Sequence, residues 1–561
     1  MNYNLRFLRR IEKTAFFILN LFALINFQFL FLNIFKADQL TIHKYTLITI
    51  FFLIFYLIIK YINEGFRIKI QNLFPDILFI CIGLLVSDSE RVSQFYLLGR
   101  QTYFLIRSFA VADHKGAFFD KLSDNPPVFV LFSFFLAIFV GALLLMLPAA
   151  TVNGRETSLL GAFFTSTSAT CVTGLIVYDT GTHFTLFGQL IILFLIQIGG
   201  LGIMTISSAF AIMMGQKLTL KSESLIQNVV GSSSKIDMIR LVQSIIIVTF
   251  IFEAFGALIL YLTFNSGALS SNIAIYHSVF HSISAFCNAG FSLYTNSFMG
   301  YRSNFSINFV ITSLIIIGGI GFPVLVDLGK SFKNKFKLTR LTLHSKIVLT
   351  CTIVLLILGS IGFFIAEYNT EMKGFGFSDR LYASYFQSVT TRTAGFNTID
   401  TANMSKASVF ISSILMFIGA SPGSTGGGIK TTAFVVVFVS VLAMFRGNRD
   451  VNVFKRRVSE GIIKKVMALV AASISLLTLM IFLLLLIEPF SLERTVFEAF
   501  SAFGTVGLSM GITPLLSNAG KIIIIMLMYL GRVGPLTLIF AISASSEKSN
   551  FKFIEEKISI G

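Results

Sequence analysis

Four short strings in this chain end on a glycine and could do chemistry with their backbone alone. They are Thr170-Cys171-Val172-Thr173-Gly174, Phe286-Cys287-Asn288-Ala289-Gly290, Thr391-Arg392-Thr393-Ala394-Gly395 and Phe503-Gly504-Thr505-Val506-Gly507. A strand that turns its carbonyls toward an axis can replace a cation's hydration shell, and glycine permits the dihedrals such a turn demands. The candidate ligands are the carbonyls of Val172, Thr173 and Gly174, of Asn288, Ala289 and Gly290, of Thr393, Ala394 and Gly395, and of Thr505, Val506 and Gly507. No Asp or Glu stands in any of the four strings, which argues against a carboxylate ring for divalent ions. The side chains before the glycines differ, but a backbone ligand tolerates that variety.

Such strands need elements to aim them, and the strings recur with their surroundings. The glycines at 174, 290, 395 and 507 are separated by 116, 105 and 112 residues, and each string follows a Ser/Thr/aromatic segment. A second landmark follows each: Ile198-Gly199-Gly200-Leu201-Gly202, Ile317-Gly318-Gly319-Ile320-Gly321, Ile418-Gly419-Ala420-Ser421-Pro422 and Leu530-Gly531-Arg532-Val533-Gly534. The offsets between the two landmarks are 25, 28, 24 and 24 residues, which marks a fourfold internal repeat. Each copy reads as a long span going out, a half-length segment, the glycine strand, and a long span returning. The expected spans are about 126–149 and 184–213, 238–265 and 306–328, 344–366 and 407–443, and 463–487 and 519–543. The half-length segments fit re-entrant helices, tolerated where they line a protein-walled cavity. Four such helices pointing their C-termini at one axis favour a cation there.

Composition agrees. The chain has 561 residues, 55% hydrophobic and only 13% charged, with mean hydropathy +0.82. That describes a polytopic membrane protein rather than a soluble domain. The basic N-terminus (Arg6, Arg9, Arg10, Lys13) precedes an apolar run long enough to span and without a small-residue cleavage site. The net charge of +17 lies in short loops on one side, such as Lys217 to Arg240, Lys330 to Lys346 and Arg446 to Lys465. That is the positive-inside pattern, with both termini cytoplasmic, and not a nucleic-acid footprint. Cys81, Cys171, Cys287 and Cys351 show no metal or disulfide spacing and read as buried thiols. The expected fold class is therefore an all-α integral membrane protein. It has four tandem membrane–pore-helix–membrane repeats around a central pore, plus about four extra N-terminal transmembrane helices. The division is 1–125 for that extension, then pore repeats at 126–230, 231–343, 344–455 (with a broken helix) and 456–561 (with a cytoplasmic tail). Arg91, Arg100 and Arg107 in the extension are spaced too widely for a voltage sensor.

The third returning span is interrupted by Gly419 to Thr432, with five glycines and a proline in or near Gly423, Ser424, Thr425, Gly426, Gly427, Gly428, Lys430 and Thr431. It is not a phosphate loop, because Ile429 stands where that motif needs glycine before the lysine. An unwound segment under the glycine strands reads as a gate. Arg532 aligns with Gly200, Gly319 and Ala420, all small. An arginine at bilayer depth costs roughly 2.5–3.5 kcal/mol, so it should face a wet cavity and set a barrier to cations, or else make a salt bridge. Arg392 should point behind its strand, toward Glu498 or another acid. Asp179 and Asp400, five residues past their glycines, either concentrate cations at the outer mouth or cap helices. His277 and His281 lack a third metal ligand. Glu253 and Glu488 read as ion-paired or interfacial.

Taken together, Ser168 to Leu175, Phe286 to Phe291, Thr391 to Thr398, Gly423 to Thr431 and Gly531 to Pro535 resemble the TrkH/KtrB/HKT superfamily of potassium transporters, and its KtrB group most closely, over about 126–545. The resemblance implies K+ selectivity when all four glycines are present, an intramembrane gating loop matching Gly419 to Thr432, and an intracellular barrier arginine matching Arg532. It also implies a homodimer in the bacterial cytoplasmic membrane, on a cytosolic ring of nucleotide-binding RCK subunits (KtrA/TrkA-like), with Na+ often stimulating uptake. No cofactor is implied beyond the transported K+. The extension at 1–125 is longer than the KtrB pattern. The competing reading, a Na+- or H+-coupled transporter of another solute, would want inverted repeats and mid-membrane carboxylates. A membrane enzyme would want a nucleophile–base pair, and the spans offer none.

Overall fold

The structure, a computed structural model, describes residues 126–152, 157–202, 235–266, 270–333, 341–448 and 450–534. The extension at 1–125, the basic loop at 203–234 and the tail from 535 lie outside the described residues, as do Cys81 and the arginines at 91, 100 and 107.

Within them the same helical sequence recurs. The first copy has α1 (Pro126–Leu145), the half-length α2 (Leu159–Thr170), a single turn α3 (Thr180–His183) and α4 (Leu186–Leu201). The second has α5 (Lys235–Asn265), half-length α6 (Ser271–Phe286), α7 (Phe305–Ile320) and α8 (Phe322–Lys333). The third has α9 (Leu343–Glu367), half-length α10 (Phe377–Thr390), α11 (Lys406–Phe417) and α12 (Thr431–Phe445). A two-stranded hairpin, β1 (Asn452–Val453) with β2 (Arg456–Arg457), leads to α13 (Glu460–Ile487), half-length α14 (Leu492–Gly504) and α15 (Asn518–Val533).

Among the described residues three single helices are long and apolar enough to cross a bilayer, Gln243–Asn265, Leu343–Glu367 and Glu460–Ile487. The returning helices are not. α4, α7 and α15 each stop after 16 residues and α11 after 12, about 24 Å and 18 Å at 1.5 Å per residue. An unbroken returning span was the expectation, and in copy two the structure corrects it. α4, α7 and α15 end at Gly202, Gly321 and Gly534, with φ of +79°, +99° and +91°. In copy two the chain then turns by 98° into α8. Hydropathy runs on through these points, so only the glycines mark the breaks.

Two small devices set each half-length helix. Ser166, Ser282 and Ser388 donate to the carbonyls of Ile138, Glu253 and Leu356 at 2.7, 2.7 and 2.9 Å. Three residues beyond each acceptor stands a glycine, Gly141, Gly256 or Gly359, whose missing Cβ is what admits the serine. Phe164, Phe280, Phe386 and Phe497, one per copy, are fully buried. At the other end each returning helix starts on a capping side chain: Thr185, Asn304, Ser405 and Ser517 accept from the amide three residues on. In copies three and four a carboxylate from the end of the outgoing helix grips that cap as well. Glu367 accepts from the amide and hydroxyl of Ser405 at 2.8 and 2.9 Å, and Glu488 from those of Ser517 at 2.9 and 2.6 Å. Glu488 is thus a helix-end staple.

Candidate functional site

The four glycine strings meet. A Cβ built on Gly174 would lie 2.5 Å from the carbonyl oxygen of Ala289, and one on Gly290 would lie 2.7 Å from that of Ala394. On Gly395 it would strike the carbonyl of Val506, and on Gly507 the carbonyl of Thr173. The order runs 174, 290, 395, 507 and back to 174, a closed ring of four strands. Every glycine has positive φ, between +71° and +94°, so any side chain there would be both strained and obstructed.

The strands are held from outside the ring. The amides of Thr173, Ala289, Ala394 and Val506 donate back into the last turn of their own half-length helix, to Ser168, Ser284, Thr390 and Ser501, at 2.8 to 3.0 Å. Hydroxyls of those same residues add a second tie. Ser168 and Ser501 accept from the amides of Gly174 and Gly507 at 3.0 and 3.1 Å, while Ser284 and Thr390 donate to the carbonyls of Phe291 and Phe396 at 2.8 and 2.5 Å. With the amides engaged behind, the carbonyls of Thr173, Ala289, Ala394 and Val506 accept no hydrogen bond among the described residues. Oxygens left in this way cost free energy unless something else, such as a cation, uses them.

Sequence reasoning missed one feature of the strands. Val172, Asn288, Thr393 and Thr505, each two residues before its glycine, also have positive φ, +57°, +59°, +69° and +50°. For β-branched residues this is a sparsely allowed conformation and one that collects at functional sites. Alternation of the two hands turns successive carbonyls toward one side. Asn288 is of a type that tolerates positive φ, but in the other three copies residue type gives no signal, because Val and Thr normally mark extended strands.

Beneath the ring lies the interrupted third span. Ile418 and Ile429 form a parallel bridge, and Gly419 N–H donates to the Ile429 carbonyl at 2.8 Å. Between them the loop reaches sideways. The amides of Ser421 and Thr425 donate to the carbonyls of Gly319 and Gly318 at 3.1 and 3.3 Å, and that of Gly428 to Gly531 at 3.3 Å. Gly427 N–H donates to the hydroxyl of Thr505 at 3.0 Å, and a Cβ on Gly426 would strike the hydroxyl of Thr393. The loop therefore packs directly on two ring strands. Lys430 donates to the Gly426 carbonyl at 2.8 Å, Thr431 to the hydroxyl of Ser421 at 3.0 Å, and Ser424 to the Ser421 carbonyl at 2.6 Å. Gly423 accepts from Phe322 N–H at 2.9 Å.

Arg532 departs from one of its two expected arrangements. It has no salt bridge among the described residues. Its guanidinium instead donates to two backbone carbonyls, Thr425 in the loop and Gly199 in α4, so it clasps the loop to another copy. Arg392 corrects a second expectation. It is buried at 8% exposure and donates to Thr352 at 3.4 Å, whereas Glu498 is engaged by Ser509 and Thr513. The arginine points behind its strand as read, but toward α9 and a small cavity it shares with Gly319 and Ala420, and no acid answers it there. Glu253 is not ion-paired either: it is buried, accepts from Gln197 at 3.3 Å and faces the thiol of Cys287 at 3.8 Å.

The remaining candidates resolve simply. Asp179 accepts from Thr182 N–H at 2.9 Å and Asp400 from Ala402 N–H at 2.9 Å, which is helix capping. His281 bonds the His277 carbonyl at 2.7 Å and Ser292 at 3.2 Å, and His277 bonds Tyr294 at 3.1 Å. Among the described residues no group of three metal-ligating side chains occurs. Cys171, Cys287 and Cys351 are buried and unpaired.

Comparison with known proteins gives this geometry a context. Residues 98–552 match the TrkH family, described as a cation transport protein. The chain is similar to the Ktr system potassium uptake protein B of Bacillus subtilis, 43% identical over 78% of this chain and 97% of that protein. It is similar to its namesake in Vibrio alginolyticus at 38% over 81% and 98%, and to the potassium/sodium uptake protein NtpJ of Enterococcus hirae at 37% over 78% and 97%. The crystal structure of the potassium transporter TrkH from Vibrio parahaemolyticus superposes with a TM-score of 0.62, covering 83% of this chain and 94% of that one at 17% identity, a likeness of fold.

Proposed function

This chain belongs to the TrkH family of cation transport proteins and is a multi-pass membrane protein, and we propose that it is the pore-forming subunit of a Ktr/Trk-type potassium uptake system. The observation that carries the reading is the closed ring of glycines at 174, 290, 395 and 507, each abutting the carbonyl of the next strand. A monovalent ion entering that ring exchanges water for backbone oxygens held at fixed spacing, and the field of four half-length helices aimed at the axis favours positive charge. The names of the Bacillus, Vibrio and Enterococcus relatives describe potassium or potassium/sodium uptake, which supports K+ as cargo and Na+ as a second ion that stimulates it. Membrane potential supplies about 2.3 kcal/mol per charge per 100 mV, so uptake runs inward without a chemical step.

In this reading Gly423 to Gly428, Lys430, Thr431 and Arg532 form the gate. The loop closes the path under the ring, and Arg532 adds a fixed positive charge that a cation must pass. The division into an extension and four pore repeats follows the boundaries given above. The subunit works as a homodimer in the bacterial cytoplasmic membrane with both termini cytoplasmic, seated on a ring of nucleotide-binding RCK subunits.

The test is rubidium uptake into proteoliposomes holding the purified chain, with Na+ present and absent. Uptake is expected and should be stimulated by Na+. Gly174→Ser should cut the K+-over-Na+ preference about tenfold, about 1.4 kcal/mol of discrimination. An unchanged preference in a folded variant would show that the ring is not where ions are sorted.

A further inference from the structure

The hairpin between α12 and α13 plays no part in the path just described. Val453 and Val458 are buried against Ile347 of α9 and Val436 of α12, with Leu343, Ile463 and Val466 packed around them. Leu343 begins α9, and Ile463 and Val466 lie in the first two turns of α13, both helices long enough to span. The hairpin therefore sits at the depth where two spans begin, the boundary between membrane and water. Its two-residue turn, Phe454-Lys455, has φ of +48° and +62°, a conformation that hairpins normally fill with Asn-Gly or Gly. A phenylalanine is kept there at conformational cost, with its ring half exposed (51%). Phe445 and Ile462, at the ends of the flanking helices, are exposed as well.

Charge at this level is one-sided. Residues 446–465 hold seven Lys or Arg against Asp450 and Glu460, so neutralisation within the segment is incomplete. Arg457 pairs with Asp450 at 3.0 Å, while Lys455 and Arg456, exposed on the turn and second strand, have no ion-pair partner among the described residues. We propose that this hairpin is an interfacial anchor, with Phe454 entering the headgroup layer and Lys455 and Arg456 binding the phosphates of anionic phospholipids. A ring that seeks the acyl boundary beside cations that seek phosphate is the pairing an anionic leaflet satisfies. A soluble acidic partner would answer the charge but not a half-exposed ring at bilayer depth.

The chain contains no tryptophan, so Phe454→Trp makes a single fluorophore at the hairpin tip. The full-length variant is reconstituted in phosphatidylcholine vesicles carrying brominated phosphatidylglycerol or, at the same fraction, brominated phosphatidylcholine. Quenching by the anionic lipid should exceed that by the zwitterionic one at least twofold, since each cation near an anionic surface contributes about 1 kcal/mol. Lys455→Glu with Arg456→Glu in the same background should remove the preference and leave quenching by phosphatidylcholine in place. Equal quenching by both lipids before those changes overturns the headgroup site. No quenching by either overturns the anchor and leaves the tip in water or against a soluble partner. Phe445→Trp is a second reporter at the same depth, expected to show the same preference, if the first variant fails to fold. Fluorescence reads the anchor whether or not the chain carries K+, so its failure and that of the transport reading are distinguishable.

Discussion

The second and third returning helices are broken at the same level under the ring, and they are broken differently. In copy two the break is one glycine: α7 stops at Ile320, Gly321 takes φ of +99°, and α8 leaves at 98°. In copy three the break is the whole stretch between α11 and α12, from Ile418 to Lys430. The first break completes its own helices and the second does not. A helix leaves its last four carbonyls without intrahelical partners. Ending α7 at Ile320 frees those of Gly318 and Gly319, which are the acceptors for the loop amides of Thr425 and Ser421. Ending α15 at Val533 likewise frees Gly531 for Gly428, and ending α4 at Leu201 frees Gly199 for Arg532. Three short helices, from copies one, two and four, thus end so that the third copy's replacement for a helix has something to hold. Beside the bonds inside the loop, its amides at 421, 425 and 428 are all satisfied by carbonyls of other copies, so a gating movement of the loop would have to exchange partners between copies.

The largest effect should come from removing the borrowed part. Deleting residues 420–428 leaves α4, α7 and α15 intact and opens the path beneath the ring. Rubidium flux per folded protein should rise tenfold or more, equivalent to about 1.4 kcal/mol or more of barrier. A deletion that folds and conducts less would mean the loop guides ions rather than stopping them. Arg532→Gln comes next, because it cuts both clasps, to Thr425 and to Gly199, and removes the charge. A rise of about fivefold is expected, about 1 kcal/mol, and Arg532→Lys should fall between, keeping the charge but not the fork that spans two carbonyls. If glutamine and lysine behave alike, geometry matters and charge does not.

Gly321→Ala tests whether the kink is only a corner. The new methyl would lie 2.6 Å from the Pro422 carbonyl, and alanine in so sparsely allowed a conformation, φ +99° with ψ 142°, costs on the order of 1–3 kcal/mol. The melting temperature should fall, and flux should rise about threefold as the loop is pushed off its seat, less than 1 kcal/mol of barrier. A lower melting temperature with unchanged flux would separate the two breaks and make the kink mere scaffold.

Much of this was legible before any coordinate. Four glycines at matching offsets, the interrupted third span and the out-of-place Arg532 can be read from residue types, because glycine and buried arginine each answer a local physical demand. What could not be read depends on partners distant in the chain. The 98° turn at Gly321 was hidden because Phe322-Pro323-Val324-Leu325 continues the apolar run that a span predicts. The carbonyls that hold the loop belong to Gly318, Gly319 and Gly531, and no sequence periodicity links them to Ser421. Arg392 was expected to find an acid because burial demands compensation, yet Thr352 and a small cavity meet it instead. The hairpin at Asn452 to Arg457 gave no turn signal, since Phe-Lys replaces the usual Asn-Gly.

One contact between the loop and the ring is the hydroxyl of Thr505, which accepts from Gly427 N–H at 3.0 Å. Thr505 belongs to the ring, with its backbone at φ +50°, while Gly427 belongs to the loop. Thr505→Val keeps the β-branched shape and the carbonyl but removes the acceptor. Losing one such hydrogen bond is worth about 0.5–1.5 kcal/mol. The amide can partly recover it from water once the loop lifts, so flux should rise only about twofold. The K+-over-Na+ preference should not move, because the carbonyls that sort ions are untouched. A shift in preference with little change in flux would reverse the assignment, making the Thr505 side chain part of the ring's chemistry and the loop's seat elsewhere. The measurement is one flux series in Rb+ and Na+, and it separates the ring from the loop at a hydroxyl where they touch.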